Sequence, residues 1–184
     1  ERRDPRRARG GRHRREVAVL DPDHRRDRDG QGDDRQRHPL QQRAAGRAGA
    51  LCVLRITDHR LFEETFGARI GKQLRGLVAS RLRCGLRGSD LLEPIGDDEF
   101  VLLLDGQVND EQLGQIAKRL LRDSTGTYTL EGLRMHVTAS LGIANFPDDG
   151  HTVTQLISNA DLAMYQAKYE GKNRYSFYSR DMAE

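Results

Sequence analysis

The sequence has few cysteines and few aromatic residues, and it contains no long apolar run. It has two cysteines, five phenylalanines, five tyrosines and no tryptophan among 184 residues. Cys52 and Cys84 show neither a CxxC spacing nor a secretory context, so we expect reduced thiols in a cytoplasmic domain rather than a disulfide framework. No apolar run approaches the ~18 residues that cross a bilayer. We therefore expect no membrane contact by this chain, and any membrane anchor of the parent protein to lie in another segment.

Apolar residues are also scarce in residues 1–47, which are rich in arginine. Residues 1–40 contain 13 arginines, and their only apolar cluster is VAVL at 17–20. Such a segment cannot bury enough surface to offset the entropy of ordering, so we predict that it is disordered and outside the fold. A basic arm for nucleic acid is the functional alternative, but the segment lacks interleaved aromatics, and we expect no nucleic acid partner. Its composition also resembles a GC-rich gene read in the wrong frame, which would make it non-native sequence.

Residues 48–180 alternate between strand and helix patterns. The predicted order is a buried strand at 50–56, a helix pair, a hairpin, a helix, one long strand at 136–146, a helix and a last strand. This order indicates an α/β fold, an α+β sandwich with a mixed sheet covered by helices and a central β-hairpin. Residues 181–184 are expected to begin a linker.

Helix boundaries and faces follow from periodicity and capping signals. Asn109 or Asp110 is expected to cap the third helix, and Gly171 to end the fourth. One face of the second helix is predicted to carry Ile70, Leu74, Leu77, Val78, Leu82 and Leu86.

Three acids in a row, Asp97 to Glu99, follow Gly96 at the predicted hairpin turn. Carboxylates at a hairpin tip could hold Mg²⁺, which normally needs a second carboxylate from a neighbouring strand. The neighbouring strand presents Arg55 instead, and this cation would repel a metal and could pair with Asp98 or Glu99. The residues alone leave a solvated acidic turn and a metal site equally open.

Two basic constellations are also candidate sites. Lys168 and Lys172 lie at the end of the last helix and could hold a triphosphate, although lysines there also complement the helix dipole. Arg87 and Asp90 precede the hairpin, and Arg119 is a plausible neighbour from the following helix. Two guanidiniums and a carboxylate suit a guanine nucleotide, while the alternative is an ordinary surface ion pair.

The segments DLLEPIGDDEFVLLL, TASLGIANFPDDG and NADLAMYQAKYEGKNRYSFY together resemble the GGDEF domain family, the diguanylate cyclases of bacterial cyclic di-GMP signalling. The resemblance covers roughly residues 48–180. It implies a fold like the nucleotidyl-cyclase and polymerase palm. It also implies activity as a homodimer in which each subunit presents one GTP with Mg²⁺ for attack of a 3′-hydroxyl on the α-phosphate.

The resemblance assigns roles to the residues of the hairpin turn and the last helix. The signature is Gly96, Asp97, Asp98, Glu99 and Phe100, in which Asp98 matches a metal-binding acid and Glu99 the adjacent acid implicated in catalysis. Lys168 and Lys172 match contacts to the triphosphate.

Several positions depart from the family pattern. The second glycine of the signature is Asp97, and the other metal-binding aspartate falls on Arg55. The guanine-reading asparagine and aspartate fall on Glu63 and Lys72. The family's DxLTGLxNR element is absent, and the arginine-rich segment stands in its place.

By contrast, Arg87 and Asp90 match the family's inhibitory RxxD site, which binds cyclic di-GMP, and Arg119 resembles its secondary arginine. The resemblance therefore implies a degenerate regulatory or receptor module that binds cyclic di-GMP and has little or no cyclase activity. Mg²⁺ is expected only if GTP is bound.

Two other functions remain open. One is an active cyclase that condenses two GTP, and the other is a dimerisation or partner-docking module that binds no nucleotide. The segment YSFYSRDMAE resembles the linker to an EAL phosphodiesterase domain. A homodimer or an intramolecular EAL domain is the expected partner.

Overall fold

The computed structural model describes residues 48–106 and 108–183. The predictions for residues 1–47 and for residue 184 lie outside the described residues. The strands are β1 (Gly49–Ile56), β2 (Leu91–Ile95), β3 (Glu99–Asp105), β4 (Gly126–Leu130), β5 (Leu133–Val137), β6 (Ala139–Phe146) and β7 (Arg174–Phe177). The helices are α1 (His59–Phe66), α2 (Ala68–Cys84), α3 (Asp110–Ser124) and α4 (Val153–Tyr169), and a 3₁₀ turn spans Arg180–Ala183.

The main sheet has five strands in the order β2-β3-β1-β6-β7. β1 lies at its centre and is antiparallel to both β3 and β6, whereas β6 and β7 are parallel. This mixed sheet covered by helices confirms the fold class expected from the alternating patterns. The inner strand of the hairpin, β3, pairs with β1, and β2 forms the edge.

β1 is buried on both faces, as its continuous apolar sequence predicts. Ala50, Cys52 and Leu54 pack in the larger core with α2, α3 and the β4–β5 hairpin. Leu51 and Val53 point to the opposite face and pack with α4. Alternate residues of a strand point to opposite faces, so Arg55 belongs to the α4 face as well. This parity places the one charged residue of β1 beneath α4.

α2 and α3 pack on one face of the main sheet, and α4 packs on the other. Asn109 caps α3, and its side chain accepts a hydrogen bond from the Gln112 backbone at 2.8 Å, which decides between the two predicted caps. α4 ends at Tyr169, directly before Glu170 and Gly171. Among the described residues, no helix combines the length and the apolarity that crossing a membrane requires.

The prediction of one long strand at 136–146 is wrong. β5 ends at Val137, β6 begins at Ala139, and the two strands belong to different sheets. β5 pairs with β4 in a hairpin that the sequence analysis missed, and both turn residues, Glu131 and Gly132, have positive φ. Two positive φ values in a two-residue loop are typical of a type I′ turn. β-branched and small residues continue from Val137 through Thr138 to Ser140 with no glycine or proline between them, so the local pattern gives no sign of the change of sheet.

The predicted apolar face of α2 is partly wrong. Ile70, Leu74, Val78 and Leu82 are buried as expected. Leu77 is 40% exposed, because the buried stripe already uses its neighbour Val78 and the helix turns Leu77 towards solvent. Leu86 lies beyond the end of α2 at Cys84, although it still packs against the core.

The two cysteines should differ sharply in reactivity. Cys52 is buried, and burial, together with the charge of Asp90, raises the pKa of its thiol to about 12. Cys84 is exposed at the end of α2. Because the thiolate is the reactive form, we expect a disulfide reagent at pH 8 to modify one thiol in the folded protein and both in denaturant. Equal reaction of two thiols in the folded protein would contradict this prediction.

Candidate functional site

The acidic turn lies beside the end of β1, as the sequence predicts. Gly96, Asp97 and Asp98 join β2 to β3, and Glu99 at the start of β3 pairs in register with Arg55 of β1. On the other side of Arg55, the registered partner is Ser140 of β6. The start of α1 and the last turns of α4 border the same end of the sheet.

Arg55 forms an ion pair with Glu99 in this cluster. Its Nε donates to Glu99 Oε2 at 3.1 Å, and its Nη2 also contacts that oxygen. The side chains are only 20% and 13% exposed, so solvent screens the pair weakly. Of the two acids offered as partners by the sequence, the structure selects Glu99.

Two residues of α4 complete the surroundings of Arg55. Its Nη1 donates to Tyr165 Oη at 2.7 Å, and its guanidinium lies 5.0 Å from the centre of the Tyr165 ring. Asp161 Oδ1 lies 3.9 Å from Nη2. Burial lowers the pKa of Arg55, but the hydrogen bonds to Tyr165 and Glu99 and the charge of Glu99 outweigh it, so the pKa lies above its ordinary value. Arg55 is therefore a permanent cation in this cluster.

Burial acts in the opposite sense on Asp161, where it raises the pKa of the carboxyl against the attraction of Arg55. Thr57 Oγ1, Ser140 Oγ and Asp161 Oδ1 are buried without a hydrogen-bond partner among the described residues. The polar groups around Arg55 are thus incompletely satisfied within the described part of the chain.

The residues present do not fit a divalent cation at this position. A magnesium ion needs several converging oxygens and close carboxylates. Glu99 is engaged by Arg55, and the guanidinium occupies the strand position from which a second carboxylate would come. Within residues 48–106 and 108–183, no group of three acidic, histidine or cysteine side chains converges as a metal site would. The backbone carbonyl of Asp98 is also used, because it accepts from Ile56 N at 2.8 Å.

Arg75 of α2 contacts the tip of the β2–β3 hairpin. Its Nη1 donates to the Gly96 carbonyl at 2.7 Å and lies 3.4 Å from Asp97 Oδ1. Asp97 therefore has a nearby cation, and the contact links the tip of the hairpin to α2. Nothing in the sequence pattern of α2 indicates this contact.

The two lysines predicted to contact phosphate differ in their surroundings. Lys172 Nζ forms an ion pair with Asp58 Oδ2 at 3.1 Å. Lys168 is exposed, and no described residue lies within hydrogen-bond or ion-pair distance of its Nζ. One of the two cations is thus already neutralised by the residue that precedes α1.

Glu63 and Lys72, which stand at the positions predicted to read guanine, lie on α1 and α2. Glu63 packs over Gly71, and Lys72 is exposed. His59 is buried beside them, with Nε2 3.2 Å from the Gly71 carbonyl. Glu63 and Lys72 carry a carboxylate and an ammonium where the resemblance implies an amide and a carboxylate.

The second predicted site forms a separate groove of about 360 Å³ between the end of β3 and one face of α3. Arg87 and Arg119 both line it, together with Ile116 and Gln115. The structure therefore brings together two arginines that lie far apart in the sequence. Asp90 is not among the lining residues.

Asp90 holds the loop that presents Arg87. Its Oδ2 accepts from the Arg87 backbone at 2.8 Å, and its Oδ1 accepts from Asp105 N at 3.2 Å. Arg119 is held in a similar way, because its Nη2 donates to the Gly85 carbonyl at 2.7 Å. The Arg87 side chain is exposed, and no described residue accepts a hydrogen bond from its guanidinium. Its donors remain available to a ligand.

Sequence reasoning missed Asp58, Arg75, Asp161 and Tyr165. The signal for two of them was present, because Asp161, Tyr165 and Lys168 recur at i, i+4 and i+7 and so share one side of α4. Asp58 and Arg75 had no such signal, since their partners are far away in the sequence.

Comparison with known proteins places this geometry in a family. The model of the family described as "Diguanylate cyclase, GGDEF domain" matches residues 33–174. The bifunctional diguanylate cyclase/cyclic di-GMP phosphodiesterase MucR of Pseudomonas aeruginosa is 32% identical over 151 residues, covering 82% of this chain and 22% of MucR. The chain spans about a fifth of the length of the curated relatives it matches.

Solved structures of GGDEF domain proteins are also similar to this chain. An EAL/GGDEF domain protein from M. capsulatus has a TM-score of 0.70 at 32% identity, with 76% of this chain and 94% of that chain covered. The GGDEF domain of DgcB from Caulobacter crescentus, in complex with c-di-GMP, has a TM-score of 0.68 at 21% identity, with 75% and 85% covered, and it supports the fold alone. The chain therefore belongs to the GGDEF domain family of diguanylate cyclases and is a domain of cyclic di-GMP signalling.

Proposed function

We propose that this domain is a degenerate GGDEF domain that makes little or no cyclic di-GMP and acts as a receptor for cyclic di-GMP. The observation that carries the proposal is the ion pair of Arg55 with Glu99. Phosphoryl transfer in this family depends on charge neutralisation and positioning. A fixed guanidinium in place of a metal-binding carboxylate removes one ligand and engages the adjacent acid.

Two further ion pairs support the proposal that the catalytic cleft has little or no cyclase activity. Asp97 lies beside Arg75, and Lys172 is paired with Asp58. A GTP molecule with its metal would have to displace these contacts, and it would meet Glu63 and Lys72 where guanine is normally read. Each displaced pair adds to the cost of binding, so weak or absent turnover is the expected outcome.

The groove lined by Arg87 and Arg119, which we call the Arg87 groove, supports the receptor role. It carries two arginines, of which Arg87 has a free guanidinium among the described residues, and an apolar wall at Ile116. Its volume of about 360 Å³ falls in the range of small-molecule sites. Guanidiniums bind phosphate and guanine through paired hydrogen bonds, and Asp90 holds the loop that presents Arg87. The DgcB domain, which shares this fold, is in complex with c-di-GMP.

Calorimetry of the full chain with cyclic di-GMP tests the receptor role. We expect binding that does not require Mg²⁺, and we expect Arg87→Ala to weaken it about a hundredfold, because a charge-assisted contact contributes about 1.5–3 kcal/mol. Arg83→Ala is the matched control, since Arg83 is an exposed arginine one turn earlier that does not line the groove. Failure of the wild-type protein to bind cyclic di-GMP would contradict the proposal. Equal binding of cyclic di-GMP by the Arg87→Ala protein would contradict it as well.

Incubation with GTP and Mg²⁺, followed by chromatography, tests the proposed lack of cyclase activity. We expect no accumulation of cyclic di-GMP. Clear turnover that disappears in Glu99→Ala would show instead that the domain is an active cyclase.

A further inference from the structure

The outer side of α4 carries a largely apolar stripe, interrupted by one glutamine, that does not face the core. Leu162, Tyr165, Gln166 and Tyr169 follow the i, i+3, i+4, i+7 spacing of one helix face. They line a cleft of about 640 Å³ whose far wall includes Met182 of the 3₁₀ turn. We call these four residues the α4 outer stripe. The opposite side of the helix is already used, because Ala160, Met164 and other small or apolar residues there are buried against the sheet.

The aromatic members of the α4 outer stripe are unusually exposed. Tyr169 is 90% exposed and Tyr165 is 49% exposed. Contiguous apolar surface of this kind marks interaction sites on folded proteins. Tyrosine is also among the residues that contribute most to binding at protein interfaces. The stripe therefore has the composition of a docking surface.

The charge beside the stripe is positive. Lys168 projects at the edge of the cleft without a partner among the described residues. No described acidic residue lines the cleft. Glu170 lies next to the stripe, where its Oε1 accepts from Gln166 Nε2 at 2.7 Å and its Oε2 lies 3.6 Å from Arg174. A partner with acidic residues along its edge would complement this surface, whereas a basic partner would be repelled.

We propose that the α4 outer stripe binds an acidic amphipathic helix of a partner protein. Leu162, Tyr165 and Tyr169 supply apolar anchors at i, i+3 and i+7 beside an open cleft, as is typical of recognition between helices, and Lys168 selects for acidic flanks. The site is distinct from the Arg87 groove, and its occupancy does not depend on cyclic di-GMP. The α4 outer stripe contacts the cluster around Arg55 through Tyr165, whose hydroxyl accepts the 2.7 Å hydrogen bond from Arg55.

Fluorescence anisotropy with two labelled synthetic peptides tests the proposal on the full chain. Both peptides are designed as helices about 20 residues long, because isolated helices shorter than about 12–15 residues are marginal in water, and both carry leucine along one stripe. The rest of one peptide is rich in glutamate, and that of the other in lysine. We expect the acidic peptide alone to bind. Tyr169→Ala should weaken binding at least tenfold, and Lys168→Glu should weaken the acidic peptide while improving the basic one.

Leu77→Ala is the matched control, because Leu77 is a 40% exposed apolar residue on a different helix, and it should leave binding unchanged. Failure of the acidic peptide to bind, equal binding of both peptides, or insensitivity to Tyr169→Ala would overturn the proposal. Self-association of the chain that Tyr169→Ala abolishes, measured by sedimentation, would also overturn it by showing that a second copy is the occupant.

Discussion

Replacing Gly142 with alanine is expected to destabilise the fold of the domain severely. Gly142 lies in β6 on the face covered by α4, and an added Cβ would overlap the Ala160 carbonyl oxygen and the Met164 backbone nitrogen. It would also lie 2.9 Å from Met164 Cα. These are backbone atoms of a buried helix, so they cannot move as a flexible side chain would. Overpacking usually costs about 1–3 kcal/mol, and we expect about 4 kcal/mol or more here.

Chemical denaturation followed by circular dichroism measures this effect, and Gly76→Ala is the matched control. Gly76 lies within α2 with no atom near its would-be Cβ. Alanine is favoured over glycine in a helix by roughly 0.5–1 kcal/mol, so this variant should be more stable than the wild type. A Gly142→Ala protein with wild-type stability would mean that α4 does not contact β6 as closely as described.

Replacing Arg55 with aspartate should have the second largest effect and should make stability depend on divalent cations. The change removes the partner of Glu99 and places a like charge beside Glu99 and Asp161, which now lie around the guanidinium. Breaking a largely buried ion pair costs about 3–5 kcal/mol. The variant also places a carboxylate in the strand beside Asp98 and Glu99. A cation that binds only the folded state would recover part of the lost stability.

Thermal unfolding with and without Mg²⁺ or Mn²⁺ tests this prediction. We expect Arg55→Asp to have a lowered Tm that rises on addition of either ion, while the wild-type Tm does not respond. Arg60→Asp is the control, because Arg60 pairs with Glu64 on the exposed surface, where such pairs contribute about 0–1 kcal/mol. If Arg55→Asp were as stable as the wild type, or did not respond to divalent cations, the role given to Arg55 would be wrong.

The GGDEF signature could be located from the sequence because its parts are local. The apolar runs on either side of Gly96 predict two strands, and the glycine and acids between them predict the turn. Asp98 and Glu99 were therefore placed correctly relative to each other before any tertiary structure was considered. The β4–β5 hairpin was missed although Tyr128 and Leu130 alternate with threonines, because the β-branched and small residues on either side of Thr138 favour one continuous strand.

Family membership, the α/β class and the position of the acidic turn were determined by the sequence alone, since they depend on periodicity and on motifs of neighbouring residues. The pairing of Arg55 with Glu99 rather than Asp98, the contact of Arg75 with the hairpin tip and the neutralisation of Lys172 by Asp58 were decided only by the tertiary structure. Strand register and helix packing bring these residues together across intervals of 21 to 114 positions. Local patterns cannot encode such contacts, because each partner is compatible with many others until the fold sets the distance.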